Sequence, residues 1–228
     1  MASLRRDDEG VQGRKVFLID DHPIVRQGLT HLVNQERDLQ VCGTAAEARE
    51  ALQGVEQARP DVAVVDITLG RSCGLDLVRD LHARYPDLPI LVLSMHDETL
   101  FAERALRAGA RGYIMKKEAT QDVVEAIRRV LDGALYVSEA MAARMVHGFI
   151  TGHSPSGASP IGRLTDRELQ VFQCIGRGMT TREIAQSLHL SVKTIESHRA
   201  HIKEKLGLKT TTELLVHAIQ RAQTAGSS

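Results

Sequence analysis

Five polar residues in the first half of the chain stand at the ends of apolar runs, and together their types suit the handling of phosphate. Asp20 and Asp21 close the run KVFLID, Asp66 closes DVAVVD, Ser94 closes PILVLS, and Lys116 follows GYIM. Three carboxylates in one small pocket repel unless a cation lies among them. Oxygen ligands at that density suit Mg²⁺, which keeps several waters and shares phosphate oxygens. Lys116 offers an ammonium to a carboxylate or phosphoryl oxygen, and Ser94 offers a hydroxyl donor. Singly, each residue has a commoner use: Asp or Ser at a strand end caps a helix, and a lone Lys is solvated. Their joint placement at successive run ends carries the chemical reading.

The elements that must gather them are legible in the hydropathy pattern. Lys15–Asp20, Leu39–Gly43, Asp61–Asp66, Pro89–Ser94 and Gly112–Met115 are short apolar runs. Between them lie segments with helical spacing, such as Leu75, Val78, Leu81 and then Val123, Val124, Ile127, Leu131. Continuous Val/Ile/Leu runs indicate strands buried on both faces, hence a parallel sheet covered by helices. Five such β-α units make a small doubly wound, flavodoxin-like α/β fold. In that fold the first and third strands are neighbours, so Asp20, Asp21 and Asp66 meet at their carboxyl ends.

The 228 residues suffice for two cores. Residues 1–137 carry 18 Lys and Arg against 22 Asp and Glu, a net of −4, whereas residues 162–228 carry 10 against 6, a net of +4. An acidic front and a basic back fit different partners, the back suiting nucleic acid. No apolar run reaches membrane-spanning length, and the charged start, Met1 to Gly13, lacks a signal-peptide core. Cys42, Cys73 and Cys174 match no metal-site spacing and read as free thiols of a reducing cytoplasm. Thr151–Ser159 (TGHSPSGAS) reads as a flexible linker; Ser138–Ile150 before it is compatible with a helix or a mobile segment.

Beyond Leu164 the pattern is helical throughout, a small all-α unit. Thr165 with Glu168 forms a capping box ahead of the stripe Leu169, Val171, Phe172, Ile175. A short helix starts at Thr181, a turn follows at His189-Leu190-Ser191, and a third helix runs from Val192 to Leu206, closed by Gly207. Thr212 is read as the cap of a fourth. A helix, tight turn and helix is also the pattern of a structural hairpin. The third helix decides for DNA: Ile195, Ile202 and Leu206 share one face, and Lys193, Glu196, Ser197, Ala200, Lys203 and Glu204 the other. Small residues at Ser197 and Ala200 let the helix approach base edges. Thr194, His198, Arg199, Lys203 and Lys205 flank that face as candidate phosphate contacts.

Lys15–Asn34, the Asp66 run, Ser94 and Gly112–Lys117 resemble the receiver domain of two-component systems, over roughly residues 14–132. The resemblance implies that Asp66 accepts a phosphoryl group from a sensor histidine kinase. It implies that Asp21 and Asp66 bind Mg²⁺ directly, with Asp20 acting through water and the Thr68 carbonyl as a backbone ligand. Lys116 stabilises the acyl phosphate, Ser94 bonds its oxygen, and Tyr113 is the switch aromatic, turning inward on phosphorylation. That movement reshapes the surface of the fourth helix and fifth strand, where, or around helices one and five, a regulated contact is expected. Two positions depart from the pattern: Gly70 stands where such families often carry Pro, and Lys117 where an acid is common.

The block Leu164–Leu214 resembles the LuxR-type DNA-binding domain of NarL/FixJ-type regulators, through LTDRE, EIA, TIESH and KLG. By that likeness Lys193 and Thr194 open the recognition helix and base contacts fall to Glu196, Ser197 or Ala200. Leu214, Leu215, Ala218 and Ile219 carry dimerisation, alongside a share of the core. The resemblances together imply a cytoplasmic, homodimeric transcription regulator, with RNA polymerase among its partners. Its domains would be 14–132, a 133–161 linker and 162–228. Its phosphotransfer would be self-catalysed rather than a turnover activity. An aspartate-nucleophile phosphatase would want a second acid two residues after Asp66, and Thr68 is there instead.

Overall fold

The five apolar runs form one parallel sheet, and the expected strand order is found. The structure is a computed structural model that describes residues 13–70, 72–117, 119–151 and 160–225. In chain order it contains β1 (Arg14–Ile19), α1 (Pro23–Asn34), β2 (Leu39–Ala45), α2 (Ala48–Ala58) and β3 (Val62–Asp66). A two-residue hairpin follows, β4 (Thr68–Leu69) and β5 (Ser72–Cys73). Next come α3 (Gly74–Arg84), β6 (Ile90–Ser94), α4 (Glu98–Arg107), β7 (Gly112–Met115), α5 (Ala119–Leu131) and α6 (Glu139–Thr151). A 3₁₀ turn at Pro160–Arg163 leads to α7 (Asp166–Gly176), α8 (Thr181–Ser187), α9 (Val192–Leu206) and α10 (Thr211–Ala225).

The sheet order is β2-β1-β3-β6-β7, with every neighbour parallel. Its register sets the chemistry. Ile19 pairs with Val65, so Asp20, one residue on, lies beside Asp66. Asp66 pairs with Leu93, and Ser94 with Met115, which brings Ser94 and Lys116 to the same rim. One sheet face, with Val16, Leu18, Val64 and Leu93, packs on α1 and α5 through Leu29, Val33, Val123 and Ile127. The other, with Phe17, Ile19, Val65 and Val92, packs on α2, α3 and α4, and this apolar cluster continues into Leu169, Phe172 and Ile175 of α7. Each such fully buried aliphatic or aromatic side chain contributes about 1.5–3 kcal/mol.

Several boundaries differ from the sequence reading. Of Ser138–Ile150, left open above, the stretch from Glu139 on is helical as most of α6. Just before it, Tyr136 joins the sheet edge: the Tyr113 N–H donates to its carbonyl at 2.7 Å and its own N–H donates to the Arg111 carbonyl at 3.0 Å. Thr210 takes the cap position assigned to Thr212, its hydroxyl accepting the Glu213 N–H at 3.1 Å, so α10 begins earlier. The linker residues 152–159 and the charged start up to residue 12 lie outside the described residues. Among the described residues no helix is long and apolar enough to cross a membrane. Cys42, Cys73 and Cys174 are free thiols.

Candidate functional site

Asp20 and Asp66 are buried at the carboxyl rim of the sheet, and Lys116 lies between them. Its Nζ is 2.7 Å from Asp66 Oδ2, a hydrogen bond, and 2.6 Å from Asp20 Oδ2. The second contact lacks hydrogen-bond geometry, so Asp20 Oδ2 is buried without a donor, as is Asp21 Oδ1. Asp21 Oδ1 also has the His22 ring at 2.7 Å, again as an ion-pair contact. Asp20, Asp21, His22 and Asp66 each bring one ligand atom within 4.8 Å of the others. Buried carboxylate oxygens without donors, clustered at this spacing, are the groups a hard cation satisfies. The donor set fits Mg²⁺. His22 completes the cluster and escaped the sequence reading, although it directly follows Asp20-Asp21.

Burial pushes the Asp66 carboxyl up to about 7; the Lys116 ammonium opposes the shift and the Asp20 charge adds to it. Desolvation works against the Lys116 ammonium, but Asp66 and Asp20 outweigh it and hold the group above its ordinary value. Asp20, Asp66 and Lys116 are therefore one electrostatically coupled unit. Thr68 directs its N–H at Asp66 Oδ1, at 3.1 Å. Ser94 is fully buried, and its Oγ accepts the His96 N–H at 2.9 Å. Tyr113 is buried, its hydroxyl donating to the His96 carbonyl at 2.8 Å.

Gly70 explains one departure from the family pattern. Its φ of +51° is closed to Pro, whose ring holds φ near −65°. Its N–H donates to Asp21 Oδ2 at 2.8 Å, a bond that Pro cannot make. Gly74, at the start of α3, is required by proximity: a Cβ there would lie 1.9 Å from the Asp66 carbonyl oxygen. Lys117, the other departure, is exposed.

On α9, Lys193, Glu196, Ser197 and Ala200 are exposed, as a reading face requires. Thr194, half-buried, is tied to the Ser191 hydroxyl at 2.7 Å, and Arg199 to Thr181 Oγ1 at 2.8 Å. His198 and Lys203 are half-buried at the edge of this face; burial lowers the His198 pKa. Lys205 does not serve as a free phosphate contact: its Nζ is 2.6 Å from Glu168 Oε2, neutralising a carboxylate at the base of α7. Leu214 and Ala218 are wholly core residues, so of the expected dimerisation stripe only Leu215 is exposed and Ile219 half-buried. Val216, also exposed, went unpredicted.

The most informative residues missed by the sequence reading lie on α7. Every residue from Glu168 to Ile175 is buried, although the sequence shows only one apolar stripe. A helix buried all round needs two partners. Its apolar stripe packs on α9 and α10, and its polar flank seats on the α/β unit. Asp166 receives Arg104 at 2.8 Å and Arg79 at 2.6 Å. Arg104 also donates to the carbonyls of Leu164 and Ile161. Arg167 reaches the Gly70 carbonyl at 3.2 Å, Gln170 the Ile67 carbonyl at 3.3 Å, and Arg177 the Met95 carbonyl at 2.8 Å. His189 Nε2 lies 3.6 Å from Asp21 Oδ2. The helical unit thus rests on the loops that carry the acidic pocket.

Comparison with known proteins agrees with this architecture. Residues 16–128 match the model of the response regulator receiver domain, and residues 162–218 that of the bacterial regulatory proteins, luxR family. The chain is 36% identical over 212 residues to the oxygen regulatory protein NreC of Staphylococcus carnosus, covering 91% of this chain and 97% of that one. It belongs to the NarL/FixJ family of two-component response regulators. A crystal structure of a LuxR-family response regulator from Aurantimonas, 32% identical, covers 61% of this chain and 99% of its own, with a TM-score of 0.56. RcsB from Salmonella enterica serovar Typhimurium, bound to a promoter in the presence of BeF₃⁻, shares the fold: 24% identity, 91% and 98% coverage, TM-score 0.59. In this response regulator, then, the acidic pocket lies in the receiver and α7 to α10 form the LuxR-type unit.

Proposed function

We propose that this response regulator takes a phosphoryl group on Asp66 from a sensor histidine kinase and thereby controls DNA binding by α9. The observation that carries the reading is the Asp20–Lys116–Asp66 arrangement: a buried carboxylate, its charge balanced by the Lys116 ammonium, at the carboxyl rim of a parallel sheet. Asp20, Asp21, Asp66 and the Thr68 carbonyl would hold Mg²⁺, which draws charge from the phosphoryl oxygens when bound. In the transfer an Asp66 oxygen bonds to phosphorus, the phosphorus–nitrogen bond of the phosphoimidazole breaks, and the imidazole keeps the electron pair and takes a proton. The catalysis is the receiver's own, and the product is a modified regulator.

The new group carries about −1.5 to −2 charges and three acceptor oxygens. Lys116, now bonded to Asp66 Oδ2, follows that charge, and the Ser94 hydroxyl turns to donate to it. Tyr113 would serve as the switch aromatic, its hydroxyl now on the His96 carbonyl. For DNA, Lys193, Thr194, Glu196, Ser197 and Ala200 would meet base edges, and His198, Arg199 and Lys203 the flanking phosphates. Binding as a homodimer matches two half-sites, and Leu215 and Val216 are exposed for such a contact. RNA polymerase is the further partner, and the cytoplasm the compartment. The functional boundaries would be 14–132 for the receiver, 133–161 for the connection and 162–228 for the DNA-binding domain.

Asp66→Asn tests the assignment. Acetyl phosphate with Mg²⁺ is expected to label the wild-type chain at one residue and the variant not at all, with the circular dichroism spectrum unchanged. Label persisting in the variant would assign the chemistry elsewhere.

A further inference from the structure

His96 stands two residues past Ser94, in the loop between β6 and α4, and is only 3% exposed. Four bonds from four parts of the molecule converge on it. Its N–H donates to Ser94 Oγ and its carbonyl accepts the Tyr113 hydroxyl. Its ring Nε2 is 3.2 Å from Thr68 Oγ1, and its Nδ1 is 2.6 Å from Gln173 Oε1 on α7. An amide oxygen only accepts, so Nδ1 carries the proton and Nε2 takes the Thr68 hydroxyl. Phe101 stacks on the ring, with centroids 4.8 Å apart, and fixes its plane. Three of the four partners surround the phosphoacceptor; the fourth belongs to the DNA-binding unit. Among the described residues, no other hydrogen bond between two side chains ties the β6–α4 loop to α7.

We propose that His96 is the positioning residue through which the state of Asp66 reaches α7. Its bond to Gln173 holds α7 on the pocket loops, and reorganisation around a phosphoryl group withdraws the support for that bond. The Ser94 Oγ now accepts the His96 N–H at 2.9 Å, and the hydroxyl has one proton to give. Turned toward a phosphoryl oxygen, it leaves the His96 N–H, so the loop holding the imidazole loses one of its anchors. The inference rests on the reading of Asp66 given above. A phosphoryl group shifts the docking only by its differential interaction with the docked and released forms. The coupling is reciprocal: weakening the docking must tighten binding of a phosphoryl analogue.

The test uses the full chain, beryllofluoride with Mg²⁺ as the analogue, and small-angle scattering for compactness. Gln173→Met keeps the side-chain length but removes the acceptor, leaving Nδ1–H buried without a partner. It is expected to expand without the analogue and to bind beryllofluoride at least about fivefold more tightly. A Gln173→Met chain that remains compact and binds with unchanged affinity overturns the proposal, because packing alone would then hold α7. Gln173→Ala replaces it, with the same two outcomes, should the Met variant not fold. If the wild-type chain itself fails to bind beryllofluoride, the Asp66 reading falls and this inference with it. If wild type binds and Asp66→Asn does not, that reading stands and the Gln173 variants decide the coupling alone.

Discussion

The acidic pocket of the receiver and the outer face of α9 use charge under opposite conditions. In the pocket, Asp20, Asp66 and Lys116 are taken out of water, so each charge matters to the stability of the others. On α9, Lys193, Glu196, Ser197 and Ala200 keep their water and await a partner. In the interior an unbalanced charge costs several kcal/mol, while a surface substitution away from special features usually changes stability by less than 0.5 kcal/mol. A pocket assembled this way is legible from a handful of residue types at strand ends. A reading face is defined mainly by what is absent from it, namely bulk and apolar burial.

Lys116→Met puts the contrast to its hardest test. Removing the ammonium leaves Asp20 and Asp66 buried against each other, and a loss of about 3 kcal/mol in the unfolding free energy is expected with metal chelated. Added Mg²⁺ should restore most of it, since a cation again stands among the oxygens. Thermal melts with and without chelator check this; a variant as stable as wild type in chelator would mean that the charges are not coupled.

Lys205→Met asks whether a partly buried pair in the helical unit behaves like the pocket. Glu168 is buried, and burial acts to raise its pKa. Lys205 and Thr165 outweigh that and hold it below its ordinary value. Lys205→Met is expected to destabilise the chain by about 2–3 kcal/mol at neutral pH, the cost of an uncompensated buried carboxylate. A carboxyl with a depressed folded pKa stabilises above its unfolded value and loses that contribution as pH falls through the folded one. The gap between wild type and variant should therefore close below about pH 4.5. A gap independent of pH in denaturant titrations would assign the loss to packing instead.

Ser197→Arg belongs to the exposed side and should leave the midpoint of unfolding within about 0.5 kcal/mol of wild type. Its expected effect is on DNA selected from a random pool, whose consensus should change or vanish while phosphorylation by acetyl phosphate is unaltered. An unchanged consensus would place the reading face elsewhere on α9.

Particular residues show how far the sequence could be read. The five-strand order, the capping box at Thr165, Gly207 at the end of α9 and the company of Asp20, Asp21, Asp66 and Lys116 all follow local rules of pattern and strand ends. They were legible because each rule acts over a few residues or one strand pairing. His96 was passed over because a histidine in a loop carries no periodic signal. Arg79, Arg104 and Asp166 lie far apart in the chain and have the composition of any solvated surface. The polar flank of α7 looked like a water-facing side, and only its burial reveals a second partner.

Helices, strands, their order and the acidic pocket were thus determined by the sequence itself, because apolar periodicity and the carboxyl-end rule for parallel sheets leave few arrangements. How the helical unit sits on the receiver was decided only in tertiary structure. That docking uses arginines on carbonyls and one imidazole on an amide, contacts that any polar surface could offer and that become specific only when water is excluded from between them.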